Sequence, residues 1–66
     1  MRRIIVTDDY GNEIRIGDRL SLTVGIPGRE VVVTLVERRG RVMVENADGR
    51  MSLAAALRYF PAELVR

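Results

Sequence analysis

Residues 36–46 read Val-Glu-Arg-Arg-Gly-Arg-Val-Met-Val-Glu-Asn, placing Arg38, Arg39 and Arg41 around one glycine between two apolar runs. A guanidinium is a planar fork of five donors that grips phosphate or carboxylate through paired hydrogen bonds, so such a turn is suited to touching a polyanion. All 11 cations of the chain are arginine. A GC-rich coding sequence produces the same bias without any binding role. Nine carboxylates are interspersed with the arginines and leave a net charge of only +2. Charge therefore nominates positions rather than a function. The candidates for contact with nucleic-acid phosphates are Arg29, Arg38, Arg39 and Arg58.

Catalytic chemistry has few carriers here. Histidine, cysteine and lysine are all missing, which removes the commonest bases and nucleophiles. Ser21 and Ser52 have no base to activate them. Asp8 and Asp9 are adjacent, and adjacent strand residues point to opposite faces, so the expected role of the pair is hairpin-turn chemistry. Without thiolate, imidazole or an Asp-rich loop, no metal site is expected. The loop Gly25-Ile26-Pro27-Gly28-Arg29 lacks the spacing and the lysine of a phosphate loop. Tyr10 and Tyr59 are too few to make a base-stacking platform. The expectation is a protein that is not an enzyme, takes no cofactor and binds no small-molecule substrate.

The elements that must position these residues follow from the pattern of apolar residues. Asp9-Tyr10-Gly11, Arg38-Arg39-Gly40 and Ala47-Asp48-Gly49 read as three-residue hairpin loops with glycine in the left-handed position. They delimit strands over Arg2–Thr7, Glu13–Ile16, Arg19–Val24, Glu30–Arg38, Arg41–Glu45 and Arg50–Leu53. Leu20, Leu22 and Val24 alternate with polar residues, as do Val42 and Val44. Val31–Val36 is apolar on both faces and must be covered twice, by the interior and by either the C-terminal segment or a second copy. Ser52 caps the one helix, whose stripe is Leu53, Ala56, Leu57 and Phe60. Pro61 stops it, and residues 62–65 form a turn and a last short strand.

Residues 16–46, "IGDRLSLTVGIPGREVVVTLVERRGRVMVEN", resemble a KOW-type unit, the SH3-like barrel of some ribosomal and transcription factors. The similarity lies in Gly17-Asp18, the Gly25-Ile26-Pro27-Gly28 loop and the closing "RGRVMVEN". Where the family carries its characteristic glycine, this chain reads Glu30-Val31-Val32-Val33. The resemblance implies an SH3-like fold and RNA or ribonucleoprotein partners. "IGDRLSLTV" and "GRMSLAAALR" also resemble the end and the beginning of swapped-hairpin regulators of the AbrB type, with the order reversed. That likeness implies an intertwined DNA-binding dimer.

The register of the 36–44 hairpin decides what its arginines meet. A three-residue loop sets Glu37 opposite Arg41 and Val36 opposite Val42, giving Arg41 an ion partner. A two-residue Arg39-Gly40 loop sets Arg38 against Arg41 and needs a left-handed arginine, so the three-residue form is expected. The Ala47–Gly49 turn is expected to set Glu45 opposite Arg50.

Together these features predict a mainly all-β domain over residues 1–66, an SH3-like barrel of five to six short strands with a short C-terminal helix. At this length only about 60% of the unfolded surface is buried, so a partner or self-association is a natural source of stability. The first expectation for function is a protein-interaction or homo-oligomeric module, including a homodimer, using Val31, Val33, Leu35, Leu53, Leu57 and Phe60. The second is nucleic-acid binding through the arginines, and the third a dimeric DNA-binding regulator. No apolar run is long enough for a bilayer and no signal peptide opens the chain, so a cytoplasmic protein without a membrane partner is expected.

Overall fold

The computed structural model describes residues 3–66. The described residues are mainly β, with seven strands and one short helix. The strands are β1 (Ile4–Thr7), β2 (Glu13–Arg15), β3 (Arg19–Val24), β4 (Arg29–Arg38), β5 (Arg41–Asn46), β6 (Gly49–Ser52) and β7 (Ala62–Val65), and helix α1 (Leu53–Tyr59) precedes β7. Arg2, expected to open the first strand, lies outside the described residues. β1 and β2 form a two-stranded antiparallel sheet, and the other five strands form an antiparallel sheet in the order β6-β5-β4-β3-β7. Among the described residues the strands form two open sheets and do not close into the expected barrel.

One core holds these pieces together. Leu20 and Leu22 of β3, Val33 and Leu35 of β4, Val44 of β5 and Ala62 of β7 share the inner face, joined by Ile14 of β2 and by Leu53 and Ala56 of α1. The outer face of β4 carries Val32, Thr34 and Val36, of which Val32 remains 39% exposed. The helix packs on β5 and β6 from the inner side. The outer face of the doubly apolar strand is therefore not covered by the C-terminal segment.

The helix begins and ends as its sequence requires. The Ser52 hydroxyl accepts from the Ala55 N–H at 3.1 Å, filling a donor that the first turn leaves unpaired. Phe60, which precedes Pro61, is extended with φ −133° and ψ 138°.

The β4–β5 hairpin takes the register that turn sterics disfavour. Arg38 pairs with Arg41, Glu37 with Val42 and Val36 with Met43, across a two-residue loop in which Arg39 has φ 54° and Gly40 φ 78°. The expected Glu37–Arg41 and Val36–Val42 pairs do not form. Packing explains the outcome. β5 has one apolar face, Val42 and Val44, and the observed register sets Val44 against Leu35. The other register would place Val32, Thr34 and Val36 inside and turn Val33 and Leu35 to solvent. Burying the Thr34 hydroxyl without a partner costs about 1–3 kcal/mol. Exposing one large aliphatic side chain costs about 1.5–3 kcal/mol. A left-handed arginine costs about 1–2 kcal/mol, so the core prevails over the turn. The β5–β6 turn is also a two-residue loop, Ala47-Asp48, and Glu45 does stand opposite Arg50 as expected.

The N-terminal hairpin is fastened to the far end of the chain by two aspartates. Asp8 and Asp9 lie in the loop rather than on a strand, so strand alternation does not separate them. Asp9 accepts from the Ala62 N–H at 3.0 Å and Asp8 from the Leu64 N–H at 2.7 Å. These are the groups that β7 turns away from β3, so the carboxylates cap the open edge of the sheet. Asp8, only 6% exposed, also accepts from the N–H groups of Tyr10 and Asn12 and from the Asn12 side-chain amide. Burial opposes its charge, but the hydrogen bonds from the Asn12 side chain and from the backbone N–H groups of Leu64, Asn12 and Tyr10 outweigh it and hold the pKa at about 2, below the ordinary 3.8.

A depressed folded-state pKa contributes stability that is complete above the unfolded value and lost as pH falls through the folded one. The difference in urea midpoint between the wild type and Asp8→Asn is expected to be largest near neutral pH. It shrinks as pH falls from about 4 to about 2. The asparagine amide would confront an N–H donor, so Asp8→Asn is also less stable at pH 7. A constant difference across that range would contradict this assignment.

Candidate functional site

The groove arises from a mismatch of lengths. Seven helical residues extend about 10 Å. The ten residues of β4 extend about 33 Å. The helix therefore leaves one end of the inner sheet face open. There Leu22 and Val24 of β3, Val31 and Val33 of β4, Val44 of β5, Met51 of β6 and Phe60 line an apolar groove of about 270 Å³. Its rim is polar: Arg29, Asn46, Asp48, Gly49 and Arg50. The volume falls just short of the roughly 300–1,000 Å³ typical of small-molecule pockets, a size that suits a few side chains.

The rim has fixed and available parts. The Asn46 side chain donates to the Val32 carbonyl at 3.3 Å and accepts from the Asp48 N–H at 2.9 Å, which holds the β5–β6 turn. Arg50 stands opposite Glu45, yet the Glu45 carboxylate is engaged by Arg38 at 2.8 Å. Among the described residues, neither Arg29 nor Arg50 makes an ion pair. Gly28, just before Arg29, has no room for a side chain, since a Cβ there would meet the Thr23 methyl at 2.5 Å.

The arginines nominated by sequence do not converge. Arg29 and Arg38 occupy opposite ends of β4 and, nine positions apart, opposite faces. Their separation of about 30 Å is several screening lengths, so they act independently. Arg39 is exposed in the hairpin turn beside Arg38. Arg58 stands at the end of α1, 5.8 Å from the centre of the Tyr59 ring. The hairpin tip itself is basic: Arg38 faces Arg41, and among the described residues Arg39 and Arg41 make no ion pair.

The apolar candidates divide differently. Val31, Val33 and Phe60 join Arg29 in the groove. Leu35 and Leu53 are sealed in the core, at 0% and 6% exposure, and Leu57 packs against it half-buried. Sequence reasoning missed Leu22, Val24, Val44, Met51 and Arg50 as groove residues. Only the alternation in β3 and β5 marked the first three as inward-facing, and nothing local brings Met51 or Arg50 to the edge of the groove.

Comparison with family models, with curated proteins and with solved structures gives no match. The chain's own geometry must carry the functional argument. No described helix is long and apolar enough to cross a membrane. No described cluster of acidic side chains could hold a metal ion.

The left-handed Arg39 offers a direct test of the hairpin. Asparagine followed by glycine is the preferred pair for this turn, so Arg39→Asn is expected to raise the unfolding free energy by about 1 kcal/mol in urea titration. No gain would mean that the arginine side chain supports the fold in its own right.

Proposed function

We propose that this chain is a non-enzymatic interaction module whose inner-face groove receives apolar side chains of a partner protein. One observation carries the reading: half-buried Val24, Val31, Met51 and Phe60 line one concave surface whose floor is the buried Leu22, Val33 and Val44. Exposed apolar surface with a polar rim is the usual character of a protein-binding site. The absence of histidine, cysteine and lysine supports a non-catalytic role.

The test is selection of displayed peptides against the folded chain, followed by NMR mapping of the bound site. Amide shifts are expected at Val31, Val44, Met51 and Phe60. Met51→Arg abolishes binding while Val32→Arg, on the outer face, leaves it intact. Loss of binding in Val32→Arg alone, or shifts that depend only on the chain's own concentration, would move the site to the outer face and to self-association.

A second reading rests on the hairpin tip. Arg38 is held by Glu45, while Arg39 and Arg41 beside it make no ion pair among the described residues, and this supports contact with a nucleic-acid backbone. Affinity for mixed-sequence RNA and DNA is then expected to fall steeply with salt and to vanish in Arg39→Glu/Arg41→Glu. Retention in that variant would remove the tip from consideration.

A further inference from the structure

We infer that the outer face of the five-stranded sheet is the contact surface of a two-fold dimer, in which the basic end of one copy lies on the acidic end of the other. The inference concerns the face opposite the groove and does not rest on the groove being a binding site.

The registers sort this face by charge. Arg38 lies opposite Arg41, and Arg50 lies opposite Glu45, so three arginines share the corner made by β5, β6 and the end of β4. Glu45 is already held by Arg38 at 2.8 Å, and Asp48 in the β5–β6 turn lines both the groove and the outer hollow, at the lip between the two faces. At the opposite corner Glu30 lies opposite Thr23 and Glu63 opposite Ser21. With Asp9 these carboxylates line a shallow hollow that has no cation in its wall. Between the corners stand Val32, Thr34 and Val36 of β4 and Met43 of β5, all partly or fully open to solvent. Arg19, in the middle of the face, has Glu63 as its diagonal neighbour on β7.

This pattern is complementary to itself. From Arg41 to Glu63 is six steps along the strands and three strands across, about 25 Å. That is about three screening lengths at physiological salt, so the two corners of one copy do not neutralise each other. A two-fold axis lying in the plane of the face turns each corner onto the opposite corner of a second copy. Both charge contacts then form together, and the apolar middle meets its own image. Nucleic acid laid across the face would meet Asp9, Glu30 and Glu63, and any partner of a single charge sign is repelled at one corner. The face is five strands wide and about six residues long, roughly 400 Å² per copy. A standard interface takes about 800 Å² from each partner, so this dimer is weak and salt-sensitive.

The experiment follows the chain by NMR and sedimentation in low salt, up to about 2 mM. The wild type is expected to pass from monomer to dimer with a dissociation constant on the order of 0.1–1 mM, and raising the salt about tenfold disperses it. Concentration-dependent amide shifts are expected at Val32, Val36 and Met43 and not at Val31, Met51 or Phe60. Arg41→Glu/Arg50→Glu and Glu30→Arg/Glu63→Arg, all at exposed positions, each weaken self-association by about tenfold or more. Mixed in equal amounts, the two charge-reversed chains associate again, because every contact then joins opposite charges. Urea midpoints check that the variants are folded, and if one is not, Val32→Arg and the salt titration decide. A wild type that stays monomeric, a dimer indifferent to both reversals, growth beyond two copies, or shifts confined to the groove would each overturn the proposal. None of these results depends on whether a peptide enters the groove.

Discussion

The Asp8 carboxylate joins the two ends of this molecule. It accepts from its own hairpin at Tyr10 and Asn12 and from Leu64 on the last strand, with Asp9 beside it holding Ala62. An open sheet edge is a row of unpaired donors and acceptors, and here two side chains satisfy the donors. Fixing β7 also fixes α1, which precedes it after Pro61, and so sets which part of the inner face the helix covers. The core, the helix position and the open end of the sheet all follow from that closure.

Along β4 the competition between turn and core is settled in favour of the core. The β4–β5 hairpin accepts a left-handed Arg39 and two opposed arginines because Val33, Leu35 and Val44 must point inward together. Thr34 contributes by what it would cost inside. The consequence is functional as well as structural. Arg38, displaced from a simple tip position, pairs with Glu45 on the outer face, where Arg50 stands opposite the same carboxylate.

The groove is a product of length rather than of any motif. A helix of about two turns confined between Ser52 and Pro61 cannot span a ten-residue strand, and the uncovered remainder is apolar because the inward positions of β3, β4 and β5 are apolar.

The strands, the helix and its caps were legible in the sequence because each depends on neighbours a few residues away. Alternation in β3 and β5, glycines at the turns, Ser52 and Pro61 all act locally. The inward side of β3 and β5 was legible for the same reason. The Asp8–Leu64 and Asp9–Ala62 bonds, which link residues more than fifty positions apart, left no local signal. Neither did the meeting of Arg29, Met51 and Phe60 in one groove. The register of β4 was decided only by the tertiary structure, because its two faces are nearly equally apolar and local turn sterics point the wrong way. Local preference chose the elements. The shared core chose their alignment, because the apolar area it buries outweighs the strain of one turn.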